Sequence, residues 1–369
     1  DALVDVVVRP LESVQPGSDT ASTIRWRSGR AAANVARAIA DQGGRARLVA
    51  RVGDDVAGTF LTDSLHRHGV AAHVVRDPDR STGTVVALVG ADDRDMLTDR
   101  GASAHLGPGD LRSGWLDDAA HVHVSGYALL SPTTRAAGLH AMQRAREAGI
   151  PVSVDPASAA PLRRIGADAF LTMLPPRVLL TPNADEARIL AGREDVEEAA
   201  SCLGARTGEV LVSRGAGGVV WSDGRTVLRR SAVAVTGTVD PVGAGDALVA
   251  GLLTARVAGH PLEVQLDEAL VAAGRAVPDR GPGEVTCWAG RSIQSWNAVR
   301  SAQAAVTSAQ AQSMSRTAIA PGWKAWTNGS PSSPSTRWPT VGRCPTTSTV
   351  LASRGTVASR FTNVCALAS

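Results

Sequence analysis

An alternating α/β fold is what this 369-residue sequence predicts. Short apolar runs of strand length alternate along the first 280 residues with longer alanine- and leucine-rich stretches of helical character. Polar residues and glycines gather repeatedly where the apolar runs end, which is where open α/β sheets bind ligands. One such junction, Asp240-Pro241-Val242-Gly243-Ala244-Gly245-Asp246, leads directly into a mostly apolar helix over 247–257.

Taken in order, Leu3–Val8 reads as a first strand interrupted by Asp5, an acid that is costly to bury without a partner or ligand. Residues 10–23 read as a loop or hairpin and Ile24–Arg27 as a strand. Ser28–Ala40 reads as an alanine-rich helix that ends near Gly43-Gly44, with Asn34 in its first turns, placed to bind hydroxyls or to cap and face solvent. Arg47–Val52 predicts a strand, 56–68 a helix closed by Gly69, and Ala71–Val75 and Thr84–Val89 two more strands. A further strand at Asp95–Leu97 precedes Arg100, whose guanidinium suits a substrate anion or hydroxyl, or plain solvent. His121–Ser125 predicts a buried strand whose two histidines share one face as packing residues. A helix follows over Pro132–Ala148, then a strand at Pro151–Asp155 ending on an acid. Arg177–Thr181 and Glu209–Ser213 are strands, with a helix over 184–191 between them. Val219–Trp221 returns across a hairpin, and Val233–Val235 reads as a short strand before the glycine junction.

The junction carries the chemistry. A Gly-Ala-Gly step at a helix start brings unpaired backbone N–H groups, at the positive end of the helix, close to a ligand. That is a site for phosphate, or for the charge that develops on a phosphoryl group in transit. Asp246 beside it is placed to take a proton from an alcohol. Alone, the same residues also suit a tight turn with an acid in the first helical turn. No G-x-x-x-x-G-K-[ST] phosphate loop exists, because the only lysine is Lys324.

Composition bounds the rest. Residues 281–369 carry Glu284 and eight bases, a net of +7, which leaves the remainder at −4. The basic excess therefore belongs to a Ser/Thr-rich tail, in which scattered arginines read as solvated and not as a nucleic-acid surface. Cys202, Cys287, Cys344 and Cys365 form no C-x-x-C pair, so a reducing cytoplasm is expected, without a disulfide framework or zinc site. No leader peptide or membrane-spanning run is recognisable.

Five motifs then agree in order and spacing, and over residues 1–277 the chain resembles the ribokinase-like (PfkB) carbohydrate kinases. Asp240–Asp246 is similar to that family's Asp-Thr-x-Gly-Ala-Gly-Asp signature, and Asn183-x-x-Glu186 to its Asn-x-x-Glu motif. Ser213-Arg214-Gly215-x-x-Gly218 resembles its nucleotide-facing turn. Asp5 and Asn34 resemble its sugar-holding residues, with Gly29 before the latter. The resemblance implies a three-layer α/β/α domain with a central, mostly parallel sheet and a small β-sheet lid, the lid strands lying at about 3–27 and 71–89. It implies an ATP-dependent kinase for a small sugar or sugar acid, using Mg2+, with a monovalent cation as a further option and a homodimer through the lid as another. Asp246 would be the general base, and Gly243, Ala244 and Gly245 the anion hole. Asp5, Gly29, Asn34 and Arg100 would face the sugar. Asn183, Glu186, Ser213, Arg214, Gly215, Gly218 and Asp240 would face ATP, with Glu186 reaching Mg2+ through water. A nucleoside kinase of the same fold and a catalytically impaired sugar- or nucleotide-binding remnant are the alternatives.

Three departures from the pattern stand out. Arg30 occupies the place of a second glycine before Asn34, which would narrow the sugar site or select an anionic substrate. Pro241 and Val242 replace the threonines often seen after the first acid. After Ala276 the pattern stops. Residues 278–369 are expected to be a largely disordered, low-complexity tail, either a frame-shifted, non-homologous end or a lineage-specific extension.

Overall fold

In the computed structural model the strands sort into two sheets. The structure describes residues 2–89, 94–112, 114–234, 243–276 and 363–367. The chain opens with β1 (Leu3–Pro10) and β2 (Ser22–Gly29), an antiparallel pair that leads into α1 (Ala31–Asp41). A parallel unit follows: β3 (Arg45–Gly53), α2 (Val56–Arg67) and β4 (Ala71–Asp77). The chain then returns to the first sheet through β5 (Thr82–Val89) and β6 (Arg94–Gly101). That sheet has the order β2-β1-β5-β6 and is the lid.

The remainder builds the large sheet. Strand β7 (His121–Ser125) is followed by α3 (Tyr127–Leu130) and α4 (Arg135–Glu147), and β8 (Val152–Asp155) by α5 (Ala159–Ile165) and α6 (Ala167–Thr172). Then come β9 (Val178–Leu180), α7 (Ala184–Ala191), α8 (Val196–Thr207) and β10 (Gly208–Ser213). Strands β11 (Val219–Ser222) and β12 (Val227–Arg230) precede helices α9 (Ala244–Val257) and α10 (Leu262–Ala276). A last strand, β13 (Asn363–Leu367), completes the order β12-β11-β10-β9-β8-β7-β13-β3-β4. Pairing is parallel from β10 to β4; only the β10–β11 and β11–β12 pairings are antiparallel.

Two apolar cores flank this sheet. One holds Met142, Leu162, Phe170, Leu190 and Leu203 from α4 to α8, the other Val35, Ile39, Leu61, Leu252 and Leu266 from α1, α2, α9 and α10. Helices on both faces of a mostly parallel sheet give the expected three layers. The buried histidines pack as expected. His121 Nε2 and His123 Nδ1 both meet Ser153 Oγ at 2.9 Å, and burial pushes their pKa values down to about 3 and about 4. Among the described residues no helix is long and apolar enough to cross a membrane.

Four expectations need correction. Ser28 and Gly29 end β2 instead of opening the helix, because both pair with β1, and α1 starts only at Ala31. Residues 71–77 belong to the central sheet and not to the lid, because a strand–helix–strand crossover places β4 parallel to β3 in the same sheet. The fourth lid strand is instead β6. Residues 231–234 form no strand, and Val233 is exposed; Val235 lies outside the described residues. The assignment of the tail fails for Asn363–Leu367, which lies between β3 and β7 with Val364, Cys365 and Ala366 buried. Two parallel neighbours satisfy its backbone and apolar surroundings push the Cys365 thiol up to about 12. A five-residue apolar run vanishes in the average composition of a Ser/Thr-rich tail. The rest of that tail lies outside the described residues.

The lid is tied to the body where β4 gives way to β5. Asp55 caps α2 through Gly58 N–H at 2.7 Å and also accepts from Thr82 N–H at 2.7 Å and Thr82 Oγ–H at 2.6 Å. Asp77, with no exposed side-chain surface, accepts from Arg51 Nε at 2.9 Å and from the N–H groups of Asp79 and Arg80 at 3.0 and 3.2 Å. Burial alone would push its carboxyl up, but the Asp79 N–H and the Arg51 guanidinium outweigh that and hold it at about 2. Its stabilising contribution is therefore present above the unfolded value of 3.8 and lost as pH falls through about 2. Asp77→Asn is expected to lower the unfolding free energy at pH 7 by about 3 kcal/mol. In urea titrations the variant should also lose less of its remaining stability than the native chain between pH 3.8 and 2.

Candidate active site

Helix α9 begins on Gly243, whose φ of 86° is a left-handed conformation that a side chain adopts only with strain. Among the described residues no side chain caps this terminus, and a Cβ added at Gly243 or Gly245 would meet none of their atoms within 4 Å. The amides of the first turn thus open onto free space, the arrangement that favours an anion. Asp246 lies in this first turn and is half-buried. Asp240, Pro241 and Val242 lie outside the described residues.

Asn34 holds the carboxyl of Asp246. Its Nδ2–H donates to Asp246 Oδ2 at 2.7 Å, while Arg37 donates to Asn34 Oδ1 at 3.4 Å and to the carbonyl of Ser28 at 3.1 Å. Arg37 therefore turns the amide so that its N–H faces the acid. Loss of hydration pushes Asp246 up to about 7, against the opposing effect of the Asn34 hydrogen bond.

A cavity of about 150 Å3 adjoins this helix end, lined among others by Asp155, Asn183, Glu186, Ser213, Gly245 and Asp246. Asn183 and Glu186 form a reciprocal cap on α7: Asn183 Oδ1 accepts from Glu186 N–H at 2.9 Å and Glu186 Oε2 from Asn183 N–H at 3.0 Å. Ser213 lies beside Asn183 through an isolated parallel bridge. Burial and the neighbouring acid raise the pKa of Glu186 above the usual carboxylate range, and burial raises that of Asp155.

The sugar-facing candidates form a second group around the end of β2 and the start of α1. A Cβ at Gly29 would lie 3.0 Å from Asn34 Oδ1 and 3.4 Å from Asp5 Oδ2, so the glycine backbone fits between these two side chains. Arg30 Nε donates to Asp5 Oδ1 at 2.9 Å. Arg100, from β6 of the lid, carries its guanidinium carbon 5.9 Å from the centre of the Tyr127 ring. Asn34 joins the two groups, because it touches Asp246 and borders Gly29 and Asp5.

Arg214, Gly215 and Gly218 stand apart from the cavity. Arg214 Nη2 donates to the Gly217 carbonyl at 2.6 Å, and Arg214 N–H to the Gly218 carbonyl at 2.8 Å, so the side chain folds over its own turn. Gly218 has φ of 79°, and a Cβ there would run into the backbone of Arg230–Ala232. Its glycine is required by packing, whatever else the turn does.

The sequence reading did not single out Asp155, Arg37 or Tyr127 for the site. Asp155 had a signal, an acid closing an apolar strand at its carboxyl end. Arg37 and Tyr127 had none: Arg37 acts on Asn34, whose own partner Asp246 is distant in the chain, and Tyr127 meets Arg100 from another sheet.

The description "pfkB family carbohydrate kinase" matches residues 1–287. The 2-dehydro-3-deoxygalactonokinase of Haloferax volcanii is 31% identical over 258 residues, covering 67% of this chain and 81% of the relative. The 2-dehydro-3-deoxygluconokinase of Thermoproteus tenax is 32% identical over 268 residues, covering 68% and 80%. Among solved structures, the adenosine kinase of Sinorhizobium meliloti superposes with a TM-score of 0.68 at 24% identity, over 82% of this chain and 97% of its own. A putative ribokinase II of E. coli, in complex with ATP and Mg2+, gives 0.66 at 23% identity, over 76% and 92%. These two likenesses support the ribokinase-like fold. The chain belongs to the pfkB family of carbohydrate kinases.

Proposed function

We propose that the chain transfers the γ-phosphoryl group of ATP to a hydroxyl of a small sugar or sugar acid, with Asp246 as general base and the amides of 243–245 as anion hole. The observation that carries this reading is the uncapped start of α9 with the Asp246 carboxyl held beside it by Asn34. Phosphoryl transfer asks the protein mainly for positioning and charge stabilisation, which the Asn34–Asp246 bond and the amides of 243–245 would supply. The N–H groups take the charge of the moving phosphoryl group. Asp246 takes the proton of the attacking hydroxyl, which Asp5 and Asn34 orient. Lid closure over the sugar would keep water from competing for the phosphate.

Mg2+ and ATP fit the donor set. The cavity offers carboxylate, amide and hydroxyl oxygens, the ligands a hard cation prefers. The pKa values of Asp155 and Glu186 are raised by crowding and burial that a dication would relieve. Glu186 and Asn183 would hold the ion through water, and when bound it would neutralise phosphate charge. Ser213 and the Arg214–Gly218 turn would border the phosphates. The reaction belongs in the cytoplasm, where ATP is supplied. A homodimer through the lid is supported by Ile24, Leu88 and Leu97, which are exposed on the lid sheet; Leu97→Arg should shift such a dimer to monomer in light scattering.

Asp246→Asn is expected to lower kcat by about 10²- to 10⁴-fold in a coupled ADP-release assay with a panel of sugars. Full activity in that variant would remove Asp246 from the role of base. Because the base form is needed and its pKa is raised to about 7, kcat/KM should climb about tenfold per pH unit below that value and level off above it. Chelation of Mg2+ should abolish turnover, and Glu186→Gln should raise the Mg2+ concentration at half-maximal rate. An unchanged Mg2+ requirement in that variant would remove Glu186 from the metal site.

A further inference from the structure

Arg30 is the residue that neither the fold nor the proposed chemistry requires. It caps the start of α1 with φ of 83° and ψ of 130°, a region that glycine occupies freely and a side chain does not. Ala31 after it also has a positive φ, of 32°. Strained backbone of this kind persists where surrounding contacts over-determine it, and it clusters at ligand sites. Its side chain is 23% exposed, and Nε donates to Asp5 Oδ1 at 2.9 Å. Among the described residues its two terminal nitrogens, Nη1 and Nη2, bond no other group. A carboxylate clamped on Nε fixes the plane of the guanidinium and leaves the outer fork for a second, planar anion.

The surroundings add positive potential. Arg100 from the lid lies over the same Tyr127 ring whose phenol is influenced by the Arg30 charge, so the body and the lid each bring one arginine to this corner. Gly29, one residue before Arg30, borders Asp5 and Asn34, and Asn34 bonds Asp246. Arg30 thus adjoins the proposed sugar group through Asp5 and Gly29, and it is not among the residues that line the Asn183–Glu186 cavity.

We propose that Arg30 determines substrate class: its Nη1/Nη2 fork takes the carboxylate of a small sugar acid in a two-point ion pair, while Asp5 anchors Nε from behind. This rests on the kinase reading above and names its acceptor. A planar carboxylate matches the guanidinium fork in a way that a neutral hydroxyl does not. A neutral sugar leaves the half-buried fork without a charged partner, so it is discriminated against even where it fits sterically.

Titration calorimetry with 2-dehydro-3-deoxygluconate and with fructose tests the assignment without requiring turnover. The native chain is expected to bind the acid at least about tenfold more tightly than fructose. Arg30→Met, which keeps the bulk and removes the charge, should weaken the acid about 10- to 100-fold and fructose by less than about threefold. Arg30→Lys, which keeps the charge and loses the fork, should fall between. The proposal is overturned if Arg30→Met weakens both sugars alike, if it leaves the acid unaffected, or if the native chain shows no preference for the acid. ATP consumption in the same samples reports on the kinase reading separately. Arg30-dependent binding of the acid without ADP release would contradict the kinase reading alone. Turnover of fructose with no preference for the acid would contradict the Arg30 assignment alone.

Discussion

The 2.7 Å hydrogen bond from Asn34 to Asp246 is the contact on which the arrangement of the site depends. It joins two helices, α1 and α9, that lie on the same face of the central sheet and pack in one core. It also settles a conflict at the start of α9. The helix terminus favours a negative charge, but a carboxyl withdrawn from water resists ionisation. Desolvation prevails and lifts the acid to about 7, while the single amide bond prevents it from rising further. A surface carboxylate near 4 would be a poor acceptor for an alcohol proton. One near 7 is matched to neutral pH.

The sheet supplies the rest. Its parallel strands β8, β9 and β10 run so that Asp155, Thr181 and Ser213 reach the cavity from their carboxyl ends. The chain there meets the first turn of α9, which brings Gly245 and Asp246 to the same space. The lid is the other half of the construction. Asp55 and Asp77 convert the exit from the central sheet into the entry of the lid sheet, and they do so with bonds that fix the position of β5 relative to β3. A site built between a fixed floor and a separately anchored lid can exclude water without rearranging the floor.

Much of this was legible in the sequence because it depends on local chemistry. The strand–helix alternation and the glycine junction before α9 are each determined by residues within a few positions of one another, as is the helix over 184–191, although its Asn183–Glu186 cap reads in the sequence only as a motif. What escaped depends on partners far apart. The strand over Asn363–Leu367 finds its neighbours in β3 and β7, more than 200 residues away, and nothing in its flanking composition announces it. The resemblance assigns residues 71–77 to the lid, and nothing in their local sequence speaks against it. Only the parallel crossover from β3 decides which sheet they join. Arg37 turns the Asn34 amide toward the acid, a function invisible until α1 and α9 are packed together. Arg30 was visible as a departure from a glycine pattern, but its strained backbone and its hold on Asp5 are facts of three-dimensional geometry.

The most direct test of the account is a crystal structure of the chain with ADP, Mg2+, aluminium fluoride and a bound sugar acid, in which the fluoride complex marks the position of the moving phosphoryl group. The account predicts that group within hydrogen-bonding distance of the amides at the start of α9, with the Asp246 carboxyl facing the sugar hydroxyl in line with it. A phosphoryl mimic bound elsewhere, with Asp246 turned away from the sugar, would contradict it.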